Sequence, residues 1–348
     1  MSGQNFNSQI KFYLPKGQIN DATAYYIDLI KNAFVRSNFR VSTFHKNDFE
    51  LEDSDYIVVV SPKDFLGVYR RNRKAKIIIW FQGLLPEENK MLMGANLFQK
   101  LRFPIYNWME RKTIHHSYFN FFVSDRMKRH FSEKYAYDNS NFLIIPCYNK
   151  NLKREYFSSS IKPKTSFVYA GGIYPWQCFA ETIAIYKEVE RKNNNAFLTV
   201  LTKDQEKAEN MIKMEGIKNY KINYVSLEEV MHELGNHKYG FLLREDNIVN
   251  NCATPTKMNT YLSAGLMPIH TYAVHSFNEH INLDKFEIKG NLESEKSKLA
   301  EEILVHDDIQ IDYNTYYDVC HSNFKEYFDD THYIEKITSE LISRIHAN

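Results

Sequence analysis

The chain has 348 residues, 43% of them hydrophobic and 25% charged, with a formal net charge of +1. That balance describes a globular chain and excludes an intrinsically disordered one, and the length points to two domains of roughly 150–180 residues. Cys147, Cys178, Cys252 and Cys320 form no C-x-x-C pair, which argues against a disulfide framework or a structural zinc site and fits a reducing cytoplasm.

The opening residues carry no basic-then-apolar signal segment, and no apolar run approaches the ~18–20 residues of a membrane span. Neither export by that route nor a transmembrane helix is expected. The near-neutral total hides an asymmetry: up to Glu155 the chain holds 24 Lys and Arg against 15 Asp and Glu, and beyond it 20 against 28. A basic half beside an acidic half suggests that the first alone faces an anionic surface.

In chain order, strand patterns fall at residues 10–15 (IKFYLP), 40–44, 56–60, 76–81 (KIIIWF), 119–124 and 142–146. The first is followed by a loop containing Gly17 and by a helical run from Asp21 toward Arg36. Continuous apolar strands of this kind suit a parallel sheet covered on both faces. The polar stretch 148–164, with its serine run and Pro163, reads as the linker. Alternation then restarts with strands at 167–170, 197–202, 222–226, 239–244 and 266–271, separated by helices, and a last helix is expected at about 333–345. Two doubly wound α/β units follow from this pattern.

Ligands in such sheets sit beyond the carboxyl ends of the strands, so the loops after each strand carry the candidates. In the second half these hold Gly171 and Gly172, Thr202 and Lys203, and the run from Arg244 to Lys257. Paired glycines let backbone amides approach a pyrophosphate. Thr254 as cap, Pro255 at the first helical position and Lys257 in the first turn would make an anion site, because a cation there does not serve the helix itself. The absence of G-x-G-x-x-G and G-K-[ST] disfavours dinucleotide cofactors and P-loop hydrolysis.

The stretch Tyr239 to Thr271, YGFLLREDNIVNNCATPTKMNTYLSAGLMPIHT, resembles the donor site of GT-B glycosyltransferases, in particular bacterial polysaccharide enzymes similar to glycosyltransferase family 4. The match runs through Gly240 to Arg244, Thr254-Pro255-Thr256-Lys257 and Tyr261 to Ile269. The resemblance implies an α/β GT-B fold of two Rossmann-like domains facing across a cleft. It places the N-terminal acceptor domain at 1–155, the C-terminal nucleotide-sugar domain at 156–330, and a helix at 331–348 that returns to the first domain. It implies Gly17, Gly171, Gly172, Tyr174, Lys203, Thr254, Thr256, Lys257 and Thr260 as donor-binding residues, and a nucleotide diphosphate sugar as donor with no cofactor and no metal.

The same resemblance makes WFQGLLPEE (residues 80–88) an acceptor-side loop, with Gln82, Gly83 and, from the second half, Trp176 facing the acceptor, and Glu87 and Glu88 as further acids. It also implies a retaining transfer that uses two glutamates with seven residues between them. Cys252 and Thr260 stand at those positions, so Glu245 and Asp246, with Arg244 beside them, are the remaining candidates for the chemistry and the stereochemical outcome stays open. Asp53-Ser54-Asp55 precedes a strand and reads as a turn, and the histidines show no metal-ligand spacing.

The expected activity is transfer of a sugar to a glycan or lipid-linked glycan in surface polysaccharide synthesis. An epimerase on the same fold and a non-catalytic sugar-nucleotide-binding protein are the alternatives. Residues 69–76 and 97–116, rich in Lys, Arg and aromatic residues, fit either peripheral contact with anionic membrane from the cytoplasmic side or ordinary packed and solvated segments. Pro104 is expected to interrupt any single long helix there. No nucleic-acid-binding motif accompanies the charge.

Overall fold

Six parallel strands form each of two sheets in the computed structural model, which describes residues 9–19, 21–93, 97–226, 229–292 and 296–347. The first sheet contains β1 (Gln9–Tyr13), β2 (Arg40–Phe44), β3 (Tyr56–Val59), β4 (Lys76–Phe81), β5 (Phe119–Phe122) and β6 (Phe142–Ile144). Their order is β2-β1-β3-β4-β5-β6. The second contains β7 (Ser166–Ala170), β8 (Phe197–Leu201), β9 (Tyr220–Asn223), β10 (Tyr239–Leu242), β11 (Met267–Thr271) and β12 (Ile288–Gly290), in the order β12-β11-β10-β7-β8-β9.

The two orders are the two common doubly wound windings. The first sheet follows the 2-1-3-4-5 pattern with a sixth strand added, and the second is the 3-2-1-4-5-6 pattern of dinucleotide-binding folds. Each reverses direction at a switch point, between β1 and β3 in the first and between β7 and β10 in the second. Ile77, Ile78 and Ile79 of β4 are all fully buried, so both faces of that strand are covered, as its unbroken apolar run requires.

The first sheet is flanked by α1 (Asp21–Arg36), α2 (Pro62–Arg71), α3 (Leu85–Met93), α4 (Leu97–His116) and α5 (Asp125–Tyr135). Ser61 caps α2 by accepting from the Asp64 amide at 3.2 Å, with Pro62 at the first helical position. Ser124 caps α5 through Met127 at 3.0 Å. The second sheet carries α6 (Phe179–Lys192), α7 (Gln205–Glu215), α8 (Val230–Gly235), α9 (Ile248–Cys252), α10 (Thr256–Ser263), α11 (His275–His280), α12 (Lys296–Asp307) and α13 (Tyr313–Tyr327). The chain closes with α14 (Asp330–Ile337) and α15 (Ser343–His346), joined by a π-turn at Thr338–Ile342.

By contacts the chain divides into one unit formed by residues up to Cys147 with Cys252–Thr254 and Asp329–Asn348, and a second formed by Tyr148–Asn251 and Pro255–Phe328. In the first, Tyr25 of α1 donates to Asp330 of α14 at 2.7 Å, which ties the C-terminal helices to that unit. The polar run 148–164 is a packed strap of the second unit. Its Lys162 ammonium donates to the Ala264 carbonyl at 2.6 Å, and the amides of Asn149 and Lys150 donate to Asn259 Oδ1.

Several sequence expectations are corrected. Pro104 does not interrupt α4, which runs unbroken over 20 residues; the carbonyl that proline leaves unpaired falls in the exposed segment 100–105, open to solvent. Thr254 does not cap α10: its hydroxyl accepts from the Cys147 amide at 3.0 Å, and Pro255 occupies the cap position without a side-chain bond. The second sheet has a sixth strand, β12, whose three residues give no periodicity to read. Asp53 and Asp55 sit in the expected turn, with Asp55 in a buried pair with Lys11 at 2.5 Å. Among the described residues no helix is long and apolar enough to cross a membrane.

Candidate functional site

At the switch point of the second sheet the loops after β7 and β10 meet the first turn of α10. Gly240 makes that meeting close. A Cβ there would stand 2.6 Å from the Tyr261 ring, so only glycine lets Tyr261 lie against β10. The Tyr261 hydroxyl then accepts from the Ala170 amide at 3.0 Å and donates to the Phe241 carbonyl at 3.2 Å, clamping both strand ends. Gly265, at φ +63, ends α10 in a conformation that glycine adopts freely.

Lys257, in the first turn of α10, reaches back over this clamp to the glycine loop. Its Nζ donates to Gln177 Oε1 at 2.7 Å and lies 4.1 Å from the Tyr169 ring centroid. Tyr169 in turn donates to the Gly172 carbonyl at 2.6 Å and to Gln177 Oε1 at 3.2 Å. The residue keeps some exposed surface, but its ammonium is enclosed, and burial followed by the charge of Arg244 depresses its pKa well below the ordinary lysine value.

Arg244 is 4% exposed. Its Nη1 donates to the carbonyls of Leu243 at 2.8 Å and Gln177 at 3.3 Å, and burial lowers its pKa as well. Neither cation forms an ion pair with a carboxylate among the described residues, although Glu245 and Asp246 follow Arg244 directly. Two desolvated, unneutralised cations are costly in isolation, and they fit an anion that the protein binds.

The two glycines have different roles. Gly171, at φ +135, donates its N–H to Leu201 in the strand ladder at 2.8 Å, so its amide is not available to a ligand. Its missing side chain makes room for the cation: a Cβ would fall 2.5 Å from Lys257 Cε and 2.7 Å from Nζ. The amides of Gly172, Ile173 and Tyr174 donate to no other described residue and are free backbone donors of the loop. Gly171→Ala is therefore expected to fold with a strained backbone and to push Lys257 aside; loss of nucleotide-induced thermal stabilisation with an unchanged circular dichroism spectrum checks it.

Beyond the carboxyl ends of β10 and β11 a cavity of 560 Å³ is lined by Arg244, Glu245, Asp246, Glu181, Tyr272 and Lys296, among others. The three residues named for the chemistry are thus on one wall. Asp246 is engaged by the Asn251 amide at 2.7 Å. Cys252 is fully buried and burial pushes its thiol up to about 12. Thr260 bonds the Thr256 carbonyl at 3.0 Å. Neither supplies an acid.

Other predicted residues are placed elsewhere. Lys203 is exposed, with its ammonium 5.4 Å from the Tyr224 ring, and joins no part of the cluster. Tyr174 and Trp176 stack on each other with centroids 5.1 Å apart. Thr254 belongs to the first unit, as do Gly17, Gln82 and Gly83. Sequence reading missed Tyr169, Glu181 and Lys296, which stand in no motif.

The first unit has its own pocket, of 220 Å³, at the switch point of its sheet. Gln18 follows β1, Ser61 follows β3, and Gln82 and Gly83 follow β4; Glu88 of α3 completes the lining. Gln18 Oε1 is buried without a hydrogen-bond partner, and the Gln82 amide makes no hydrogen bond among the described residues. Glu88 accepts from the Leu84 amide at 3.2 Å, and burial raises its carboxyl to about 7. Glu87 points away: burial pushes it up, but His130 and Lys134, the latter at 2.6 Å, together hold it at about 2.

Two six-stranded parallel sheets wound in these orders are those of the GT-B glycosyltransferase fold. It is similar to sucrose-phosphate synthase from Thermosynechococcus elongatus, with a TM-score of 0.69 and 8% identity over 98% of this chain and 100% of that one. It is also similar to S. aureus TarM in complex with UDP, with a TM-score of 0.61 and 10% identity over 86% of this chain. The pneumococcal O-GlcNAc transferase GtfA in complex with UDP and GlcNAc gives a TM-score of 0.58 at 9% identity over 86% of this chain. The chain spans 56% of the length of that TarM and 58% of GtfA. No family model and no curated protein matches the sequence.

Proposed function

We propose that the protein is a glycosyltransferase that takes a sugar from a nucleoside diphosphate donor and passes it to a carbohydrate hydroxyl, in the synthesis of a surface polysaccharide or its lipid-linked precursor. The observation that carries the reading is the pair of unneutralised cations, Lys257 and Arg244, beside a bare glycine backbone at the switch point of the second sheet. Negative charge develops on the departing diphosphate, and preorganised cations at that place stabilise it without a metal. Glu245 and Asp246 line the adjoining cavity and are the carboxylates available to the sugar.

In the first unit, the pocket at 220 Å³ is smaller than the roughly 300–1,000 Å³ of drug-sized sites and suits one sugar ring. Gln18 and Gln82 offer it unsatisfied polar groups, and Glu88 offers a buried carboxyl. TarM and GtfA were crystallised with UDP, which makes UDP the first nucleotide to try. A thermal-shift series with UDP, GDP, dTDP, ADP and CMP, with and without magnesium, tests the reading. A ligand at ~100 times its dissociation constant stabilises the fold by about 2.7 kcal/mol; no shift with any of the five would sink it.

A second reading, a non-catalytic sugar-nucleotide-binding protein, is favoured by Cys252 and Thr260 where a glutamate pair is expected. It predicts the same nucleotide shift but no release of nucleoside diphosphate with any acceptor. An epimerase would convert the donor alone.

A further inference from the structure

Residues 100–105 of α4 are uncovered on every side. They run without a break for nearly two helical turns, whereas a helix lying on a protein buries one residue in every three or four. What it presents is apolar: Leu101 is 65% exposed, Ile105 53%, Trp108 47% and Phe103 36%. Leu92, on α3, which packs against α4, is 48% exposed. Single exposed apolar residues need no explanation, but a cluster of five on one helix pair does.

The charge around this tip has one sign. From Asn89 to Ser124 the chain carries Lys90, Lys100, Arg102, Arg111 and Lys112, and its sole acid is Glu110. Glu110 is fully buried, so no carboxylate reaches the surface along that length. At the opposite, C-terminal end of α4, Tyr69 of α2 lies edge-on to His116 with centroids 5.2 Å apart.

We propose that the α3–α4 tip is a docking surface for an anionic lipid bilayer. Phe103, Ile105, Leu101 and Trp108 enter the interface, and Lys100, Arg102, Arg111 and Lys112 pair with lipid headgroups. Apolar burial and surface charge each contribute to such binding, and aromatic side chains with a polar edge favour the headgroup level. A second copy of the chain does not fit, because it would set the same basic tip against itself.

The test is co-sedimentation of the full chain with phosphatidylglycerol-containing vesicles and with phosphatidylcholine vesicles, without nucleotide or acceptor, so that it stands apart from the transferase reading. Expected is binding to the anionic vesicles that weakens as salt rises. Leu101→Ser/Ile105→Ser/Trp108→Ser and, separately, Lys100→Glu/Arg102→Glu should each reduce it on the order of tenfold or more, with thermal melting unchanged since the sites are exposed. No binding to anionic vesicles, equal binding to both compositions, or wild-type affinity in both variants would overturn the proposal. So would a concentration-dependent dimer of the wild type that the serine variant abolishes.

Discussion

Lys257→Met is expected to weaken nucleoside diphosphate binding about 100-fold while the free protein melts at the same temperature or higher. The two halves of that expectation come from one geometry. In the free protein the ammonium has the Gln177 amide oxygen at 2.7 Å and the Tyr169 ring as neighbours, and no carboxylate. Its pKa is depressed by burial and by Arg244. A lysine with a folded pKa below its unfolded value binds its proton less well when folded, so it costs stability at every pH below the unfolded pKa of about 10.4. Methionine keeps the stem and removes that cost. A bound phosphate supplies the missing countercharge, and losing one partner of an enclosed charge pair costs about 2–5 kcal/mol. Calorimetric titration with UDP, beside thermal melts of the free variant, reads both halves. Unchanged affinity would remove Lys257 from the site, and a large loss of stability in the free protein would show that it serves the fold instead. The same linkage predicts that nucleotide binding takes up a proton at alkaline pH, measurable as a buffer-dependent enthalpy.

Most of the fold was legible because its strands are unusually plain. Runs such as KIIIWF and FNFFVS have no rival reading as helix at that length, and glycine or proline bounds several of them. The region from Tyr272 to Phe328 was not legible. Its strand β12 is three residues long, and α12 and α13 have mixed faces in which buried Tyr316 and His306 stand for aliphatic residues. At the site, the cation and glycine of the second unit were readable as chemistry at strand ends, because topology alone puts such loops together. What could not be read was which partner each group takes. Gly171 looked like a phosphate-facing amide, yet its N–H belongs to the sheet and its service is to leave room for Lys257. Thr254 looked like a helix cap, yet a main-chain amide 107 residues away in sequence claims its hydroxyl. Both are tertiary facts that override local preference.

Stability of the first unit is expected to fall as pH rises from 5 to 8, and Glu110→Gln is expected to remove about half of that fall, the remainder belonging to Glu88, whose carboxyl burial raises equally. Glu110 lies on the inner face of α4, fully buried. Its Oε1 accepts from the Leu85 amide at 2.9 Å, and its Oε2 accepts from the Tyr135 hydroxyl at 2.8 Å. Burial pushes the carboxyl up to about 7, against the pull of Lys134 and with the push of Glu87. Lys134, 3.5 Å from Glu110, is held more closely by Glu87 at 2.6 Å, so it neutralises the wrong acid. A carboxyl whose folded pKa exceeds its unfolded value keeps its full stabilising contribution below about pH 4.5 and loses it as pH rises through 7. A rise from 4.5 to about 7 corresponds to roughly 3 kcal/mol. Glutamine keeps an acceptor for Leu85 and carries no charge, so the variant should match the wild type at pH 4.5 and exceed it by about 2–3 kcal/mol at pH 8. Urea unfolding at the two pH values measures this. A wild-type slope retained in the variant would assign the loss to Glu88, whose carboxyl is raised in the same direction.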